Sequence, residues 1–250
     1  MAERRSVLMA QQGRTVQKHQ RTGHLPPWRL APTRCSIAYG QIDLWRFRLD
    51  LPDNTLPELT RLLSADEYRR FSRQLDPTNA KRLMVARARM RQILGSYLQR
   101  PPEELAFAYG KKGKPGLGDS GRDKLAFNLA HSGVWGVLAV TAGMPVGVDV
   151  EKFDTQLEPL TLARQFLPAE QVDVLRQTPA CRQRRVFFRA WTATEARLKM
   201  TGEGLTSVLE PSAQMQNSTS RPFTVGRGYL GAIAAAGQIG ELRRWKLSEG

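Results

Sequence analysis

The feature that most constrains this chain is a pair of acids at the end of an apolar strand, in Gly147-Val148-Asp149-Val150-Glu151. Side chains alternate across a β-strand, so Asp149 and Glu151 share one face, with Cα atoms ~6.6–7 Å apart. Two like charges there repel each other and lose hydration unless a cation, a proton or solvent compensates them. Mg²⁺ takes one or two carboxylates together with water and phosphate oxygens. The pair therefore fits one hard cation, and a polar strand end facing water is the alternative at this point.

A third acid lies on a later amphipathic helix, whose apolar stripe contains Phe187, Trp191 and Leu198. At ~100° per residue, Glu195 falls inside the buried arc and Lys199 lies one turn further on. A Glu–Lys pair spaced i,i+4 is worth only ~0.2–0.5 kcal/mol and normally occupies the exposed face. A carboxylate among apolar residues needs a stronger partner, which favours a functional site.

His131 is the one histidine outside the first 40 residues, so a site built from several histidines is excluded. It lies between a basic Gly/Pro turn at residues 109–115 and the acid pair. A single histidine beside a strand can be a structural residue that forms a hydrogen bond, or it can donate to a phosphate. Both roles stay open on the residues alone.

Charge and composition narrow the class of protein. The 250 residues include 38 Lys+Arg against 23 Asp+Glu, a formal net charge of +15, and are 41% hydrophobic. The hydrophobic fraction excludes simple disorder, and the length suggests one large domain or two of ~100–150 residues. The charge predicts an anionic partner without choosing among nucleic acid, phosphorylated cofactor, acidic protein and membrane surface.

The sequence contains neither a membrane-spanning segment nor a disulfide framework, and both features bear on where in the cell the protein is expected. The longest nearly apolar stretch, residues 133–148, is too short and too often interrupted by glycine and proline to cross a membrane. The two cysteines, Cys35 and Cys181, form neither a metal-ligand spacing nor a disulfide framework. We therefore expect a soluble protein of the cytoplasm.

Residues 1–40 differ from the rest of the chain. They contain seven basic residues and one acid, with no helical or alternating apolar period and no apolar core of a secretory signal. We expect a disordered tail or an over-long start, with an arginine-rich organelle transit peptide as the alternative. Ordered structure is expected to begin at Ile42, where apolar side chains alternate as in a strand.

The remaining chain alternates between strand and helix patterns. Ser64 and Glu67 match a capping box, which predicts a helix through Phe71. Further helices are predicted over residues 79–98, 159–166, 168–175 and 180–200, and a late strand over residues 229–236. Strands at residues 135–141 and 146–150 are separated by a short turn that is typical of a hairpin.

Basic residues surround the apolar stripe of the helix at residues 79–98. By helical geometry Arg87 lies beside that stripe, whereas Arg82 and Arg89 lie elsewhere. An arginine at that place either snorkels to water or meets a buried anion. For the other arginines we expect a solvated face.

Taken together, these segments resemble the Sfp-type phosphopantetheinyl transferases. The paired signature is the acid-bearing segment 147–151 followed by Trp-Thr-Ala-Thr-Glu-Ala-Arg-Leu-Lys at residues 191–199. Supporting matches are Gly-Lys-Pro at 113–115, Phe-Asn-Leu-Ala-His-Ser at 127–132, Arg-Gln-Phe-Leu-Pro-Ala-Glu at 164–170 and Gly-Glu-Gly-Leu at 202–205. Each match is weak alone, but their order and spacing over residues 42–236 make the resemblance strong.

The resemblance implies an α+β fold, in which two similar α/β halves are related by a pseudo-twofold axis and preceded by a disordered tail. The chain then divides into the tail (1–40), an N-terminal half (41–142) and a C-terminal half (143–250). Coenzyme A and Mg²⁺ would bind in the cleft between the halves. Two pseudo-symmetric halves in one chain favour a monomer.

The activity that the resemblance implies is transfer of phosphopantetheine from coenzyme A to a serine hydroxyl of an acyl or peptidyl carrier protein, with release of adenosine 3′,5′-bisphosphate. Mg²⁺ on the pyrophosphate would neutralise charge on the leaving phosphate. Asp149, Glu151 and Glu195 then become the metal ligands. Glu195 is also the candidate base for the carrier serine, directly or through water, and Lys199 would steady the pyrophosphate or the leaving group.

The remaining site residues come from the same resemblance. His131 and Lys114 match positions that contact phosphate and nucleotide, and Arg82 and Arg87 are assigned to the 3′-phosphate side. One departure is Thr194, because the family commonly has lysine immediately before the helix glutamate. The missing charge puts the rate and the coenzyme affinity in doubt but does not imply inactivity.

Two other functions stay open at this point. A basic nucleic-acid-binding protein would explain the charge and the arginine-rich helix, but it needs no three converging carboxylates, and the aromatic residues fall mainly on apolar stripes. We therefore expect neither a nucleic-acid nor a membrane partner. A non-catalytic binder of coenzyme A or carrier protein is the second alternative.

Overall fold

A computed structural model describes residues 25–110, 113–118, 125–204, 208 and 212–248. Residues 1–24 of the expected tail, two lysines of the basic turn and the end of the 202–205 motif lie outside the described residues. The strands are β1 (Arg29–Leu30), β2 (Ile42–Arg48), β3 (Phe107–Tyr109), β4 (Pro115–Leu117), β5 (Ala126–Ser132), β6 (Trp135–Thr141), β7 (Val146–Lys152), β8 (Ser218–Phe223), β9 (Tyr229–Ala236) and β10 (Leu242–Lys246). The helices are α1 (Leu56–Thr60), α2 (Ala65–Ser72), α3 (Pro77–Leu98), α4 (Pro159–Phe166), α5 (Ala169–Gln177), α6 (Ala180–Thr201) and α7 (Ala213–Gln216).

Within the described residues the strands form three sheets, and the predicted α+β class is confirmed. One sheet has the order β1-β10-β2-β6-β5, a second contains β3 and β4, and the third has the order β7-β9-β8. Helix α3 buries its apolar side against the five-stranded sheet, and α6 packs on β7 and β9 of the three-stranded sheet. Each of these two sheets therefore carries one helix of 22 residues.

The predicted hairpin of β6 and β7 is wrong. In the described sheets β6 pairs with β2 along one edge and with β5 along the other, so it has no edge left for β7. After the turn the chain enters the three-stranded sheet, where β7 pairs antiparallel with β9 from Val146↔Ala235 to Lys152↔Tyr229. The short turn signals a reversal, but the neighbour of a strand depends on segments far away in sequence.

The predicted helices are confirmed. The Ser64 hydroxyl accepts from the Glu67 amide at 3.2 Å and the Glu67 carboxylate accepts from the Ser64 amide at 3.0 Å, which is the expected capping box. Helix α6 ends at Gly202, whose φ of 77° suits glycine and whose amide donates to the Leu198 carbonyl at 2.8 Å. In the part of the chain that the structure describes, no helix is long and apolar enough to cross a membrane.

The folded body begins before Ile42, which corrects the expected boundary of the tail. Arg29 and Leu30 pair in parallel with β10, and the Trp28 indole donates to the Thr224 carbonyl at 3.1 Å. Cys35 is buried in the core of the first sheet. The buried side chains of residues 25–40 do not recur at the spacing of a helix or a strand. Hydrophobic periodicity therefore gives no sign that this segment is ordered.

The last strand completes the first sheet. Strand β10 lies between β1 and β2 and pairs with β2 in parallel, from Leu242↔Ile42 to Lys246↔Arg46. Arg243 donates to the two oxygens of the buried Asp43 at 2.7 and 2.8 Å. The five-stranded sheet thus contains residues from both predicted halves.

Candidate active site

Strand β7 carries both acids of the predicted pair. Asp149 is only 3% exposed, and Glu151 is half-buried near the end of the strand. Burial raises the pKa of Glu151, and the negative charge of Asp149 raises it further, whereas a hydrogen bond from Ser132 and the charge of Lys199 oppose the shift. The two carboxylates therefore interact, as strand alternation predicts.

A close approach between β7 and α6 fixes where these acids lie. A Cβ atom on Gly147 would be 2.0 Å from the Ala196 carbonyl and 2.4 Å from the Met200 amide. No side chain can occupy that space, so glycine is required and the two backbones touch. The contact places the start of β7 against the last turns of α6, where Lys199 can reach Asp149.

Lys199 and Asp149 form an ion pair across this contact. The ammonium Nζ lies 2.6 Å from Asp149 Oδ1, with the lysine side chain 33% and the aspartate side chain 4% exposed. The second oxygen, Oδ2, is buried and has no hydrogen-bond partner among the described residues. Buried carboxylate oxygens are normally satisfied, so Oδ2 is open to one further ligand.

Glu195 lies in the same electrostatic cluster. Burial raises its pKa, Lys199 lowers it, and Asp149 raises it again. The predicted position inside the apolar arc of α6 is thus matched by a half-buried carboxylate that interacts with Asp149 and Lys199. Thr194, which precedes it, is buried.

His131 faces the cluster from β5. Its pKa is lowered by desolvation from the surrounding protein and by the charge of Lys199, although its side chain remains exposed. A neutral imidazole can donate from one nitrogen. The structure places His131 near Lys199, but its predicted phosphate contact stays a prediction.

Lys114 lies behind the cluster. Its ammonium donates to the carbonyls of Lys199 at 2.5 Å, Met200 at 3.0 Å and Val146 at 3.4 Å. Burial lowers its pKa to about 8. Because a lysine has three donors and all three are in use, Lys114 caps the end of α6 in this structure. Its predicted contact with the coenzyme stays a prediction.

The two arginines assigned to the 3′-phosphate lie on α3. Arg87 is buried, with Nε 3.5 Å from Glu67 Oε1, so it meets a buried anion and does not snorkel to water. Burial lowers its pKa. The solvated face expected for the other arginines of this helix is wrong for Arg91, which is buried with its Nε 2.8 Å from Glu67 Oε2. Arg82 is half-buried, and its Nε has no hydrogen-bond partner among the described residues. Neither position tests the assignment to coenzyme A.

Sequence reasoning missed two polar residues of β5. The Ser132 hydroxyl donates to Glu151 Oε2 at 3.0 Å, and Asn128 Oδ1 accepts from the Val148 amide at 2.8 Å. Both bonds reach β7. The available signal was Asn128 itself, because a buried amide in an otherwise apolar strand needs a hydrogen-bond partner.

An apolar cavity of about 300 Å³ opens beside Glu151. Six of its lining residues are apolar: Leu157, Leu162, Phe166, Phe187, Phe188 and Trp191. Helical periodicity predicts a buried stripe that contains Phe187 and Trp191; Phe187 is buried, whereas Trp191 is half-buried. The charged cluster is thus bordered by an apolar recess.

The donors present suit magnesium better than a metal that needs a complete protein cage. Among the described residues no three His, Cys, Asp or Glu side chains form a group that could hold a metal ion. Mg²⁺ takes one or two carboxylates and completes its shell with water and phosphate. The unpartnered Oδ2 of Asp149 and the neighbouring Glu151 meet that smaller requirement.

Comparison with known proteins gives consistent matches over most of the chain. Residues 145–241 match the model of the 4′-phosphopantetheinyl transferase superfamily, and residues 52–143 match that of the 4′-phosphopantetheinyl transferase N-terminal region. The 4′-phosphopantetheinyl transferase HetI of Nostoc sp. is 35% identical over 184 residues, which cover 73% of this chain and 78% of HetI.

Two further relatives extend the comparison. A putative 4′-phosphopantetheinyl transferase of Synechocystis sp. is 33% identical over 169 residues, 68% of each chain. The 4′-phosphopantetheinyl transferase Sfp of Bacillus subtilis is 25% identical over 205 residues, which cover 71% of this chain and 89% of Sfp.

Proposed function

The chain belongs to the 4′-phosphopantetheinyl transferase superfamily and is of the Sfp-like type, and on that premise we propose that its reaction takes place at the cluster of Asp149, Glu151, Glu195 and Lys199. The enzyme transfers the 4′-phosphopantetheine group of coenzyme A to a serine of a carrier protein. The observation that carries the assignment of the site is the buried Asp149 carboxylate, with one oxygen on Lys199 and the other unpartnered.

We assign Asp149 and Glu151 as the residues that hold Mg²⁺, with Glu195 as the third acid. Charged carboxylates in a half-buried cluster are unfavourable without compensation, as the raised pKa values of Glu151 and Glu195 indicate. When bound, Mg²⁺ would neutralise negative charge on the pyrophosphate of coenzyme A.

Glu195 and Lys199 have separate roles in the transfer step. The serine oxygen attacks the phosphorus that carries pantetheine, the bond to the bridging pyrophosphate oxygen breaks, and adenosine 3′,5′-bisphosphate leaves. Glu195 takes the serine proton, directly or through water. In the protein without metal, burial raises the pKa of Glu195 above that of an ordinary glutamate. Lys199 contacts the pyrophosphate or the leaving group.

The binding of the coenzyme is assigned to four further residues. His131 and Lys114 contact its phosphates and nucleotide, and Arg82 and Arg87 serve the 3′-phosphate. For Lys114 this requires that its ammonium leave the carbonyls it now caps. We further propose that the protein is a monomer of the cytoplasm. Its N-terminal half would end at residue 142 and its C-terminal half would begin at residue 143.

The proposal is tested by the mass of the acceptor. The protein is incubated with coenzyme A, Mg²⁺ and apo carrier proteins of fatty-acid, polyketide and peptide synthesis. A gain of one phosphopantetheine is expected, abolished by a chelator and reduced about 10³-fold in Asp149→Asn, because metal-ion stabilisation of a transition state is worth several kcal/mol.

A matched control is Asp154→Asn, an exposed acid close after β7 that also borders the apolar cavity. It should retain nearly full activity. Full activity of Asp149→Asn, or an activity indifferent to chelator, would overturn the assigned site. Absence of a mass gain with every carrier would overturn the activity.

A further inference from the structure

Strand β7 has one edge without a main-chain partner in the described sheets. It lies at the end of the order β7-β9-β8, so β9 covers one edge and the other faces β5 of the five-stranded sheet. Buried amide groups on such an edge need acceptors. Val148 is fully buried there.

Two side chains of β5 supply these acceptors. Asn128 Oδ1 accepts from the Val148 amide at 2.8 Å, and Ser132 Oγ accepts from the Lys152 amide at 3.1 Å. Both bonds join residues 20 positions apart in sequence, and the two bonds are four residues apart along each strand. Side chains four residues apart share a face of a strand, so Asn128 and Ser132 both point from β5 toward β7. Their two bonds hold β5 and β7 in a regular parallel register.

These two bonds bracket the acid pair. Val148 precedes Asp149, and Lys152 follows Glu151. The Ser132 hydroxyl accepts from Lys152 and donates to Glu151 Oε2 at 3.0 Å, so one hydroxyl fixes both the strand and the carboxylate. His131 lies next to Ser132 on β5, so the same register sets the distance between the histidine and the acids.

We propose that Asn128 and Ser132 are positioning residues, whose side chains replace the missing main-chain ladder between the two sheets and hold Asp149 and Glu151 ready for the metal. The inference rests on the proposed function in one respect, the assignment of the acids as metal ligands. The register itself is independent of that assignment.

The test uses the full chain without coenzyme A and has two readouts. Amide hydrogen exchange at Val148 and Lys152 reports the register, and Mn²⁺ titration followed by electron paramagnetic resonance reports the acids. The variants are Asn128→Leu and Ser132→Ala, which remove the acceptors, and Ser132→Thr, which keeps the hydroxyl.

We expect faster exchange at the amide that loses its acceptor and about 10-fold weaker Mn²⁺ binding in both deletions, since residues that orient metal ligands typically contribute 10–100-fold to affinity. Ser132→Thr should recover both values to within about threefold. Thr141→Val serves as control, because its buried hydroxyl bonds within the first sheet and to the turn, at the Ala126 and Met144 carbonyls. It should disturb stability but neither readout.

Each outcome bears on a different statement. Unchanged exchange at Val148 and Lys152 in the deletions would overturn the register. Faster exchange with wild-type Mn²⁺ affinity would overturn the positioning role. If the wild-type protein binds no Mn²⁺, the metal assignment fails and the positioning role fails with it, while the exchange data still show whether the register exists.

Discussion

The two long helices, α3 and α6, have the same length and opposite electrostatic designs. Helix α3 buries Arg87 and Arg91 against Glu67 of α2, at 3.5 and 2.8 Å. Helix α6 brings Glu195 and Lys199 beside Asp149, whose second oxygen stays unpartnered among the described residues. In α3 the two buried arginines bond to one acid of the neighbouring helix, an interaction that stabilises the fold. Around the end of α6 three carboxylates, those of Asp149, Glu151 and Glu195, outnumber Lys199, which leaves negative charge for a ligand to compensate.

The largest effect should come from breaking the ion pairs that α3 forms with Glu67. In Glu67→Gln, Arg91 and Arg87 lose their carboxylate while almost fully buried, and removal of one partner of such a pair is strongly destabilising. We expect the free energy of unfolding to fall by about 3 kcal/mol, measured by urea denaturation, with Mn²⁺ affinity unchanged.

Asp66→Asn is the control for this change. Asp66 is the neighbour of Glu67 on the same helix, but its pair with Arg69 is exposed, so the loss should stay under about 1 kcal/mol. If Glu67→Gln were no less stable than Asp66→Asn, the two helices would not differ as described.

A smaller effect of the opposite sign is expected at the end of α6. In Lys199→Met the ammonium 2.6 Å from Asp149 Oδ1 is removed, so both oxygens of Asp149 are available to a metal. Because a hydrogen bond to a charged group is worth about 1.5–3 kcal/mol, Mn²⁺ should bind at least about 10-fold more tightly in the absence of coenzyme A.

The matched change is Lys152→Met, which removes an exposed lysine next to Glu151. It should leave Mn²⁺ affinity within about twofold of wild type, because exposed charges are screened by solvent. Weaker metal binding in Lys199→Met would show that this lysine supports the metal site and does not compete for it.

The smallest effect is a change in the pH dependence of stability when Lys114, which caps the end of α6, is replaced. Burial lowers the pKa of Lys114 to about 8, below its unfolded value, so the unfolded chain binds more protons between about 8 and the ordinary lysine pKa. Stability should therefore rise with pH across that window. Lys114→Met should lack this rise, whereas the exposed Lys152→Met should keep it, as followed by urea denaturation at pH 7.5 and 9.5. Parallel pH profiles for wild type and Lys114→Met would contradict the lowered pKa.

The sequence predicts best what depends on local geometry. Strand alternation places Asp149 and Glu151 on one face, and helical periodicity places Glu195 inside the buried arc of its helix, because both follow from fixed angles per residue. The capping box at Ser64 is equally local. These features required no knowledge of other segments.

What depends on distant segments was missed. The pairing of β7 with β9, the use of Lys114 as a helix cap and the partner of Arg87 each involve residues far apart along the chain. The resemblance assigns Lys114 and Arg87 to the binding of coenzyme A. In the protein without ligand, their polar groups bond instead to carbonyl and carboxylate groups of the protein.

The position of β10 has a consequence for biosynthesis. Arg243 is made 200 residues after Asp43, with which it pairs. At translation rates of about 5–20 residues per second, β2 waits for its parallel neighbour on the order of 10–40 s. During that time its edge is open to strands of other nascent chains. The slow step in making this enzyme is therefore expected to be the arrival of β10, and a chaperone that covers the β2 edge should raise the yield of folded protein.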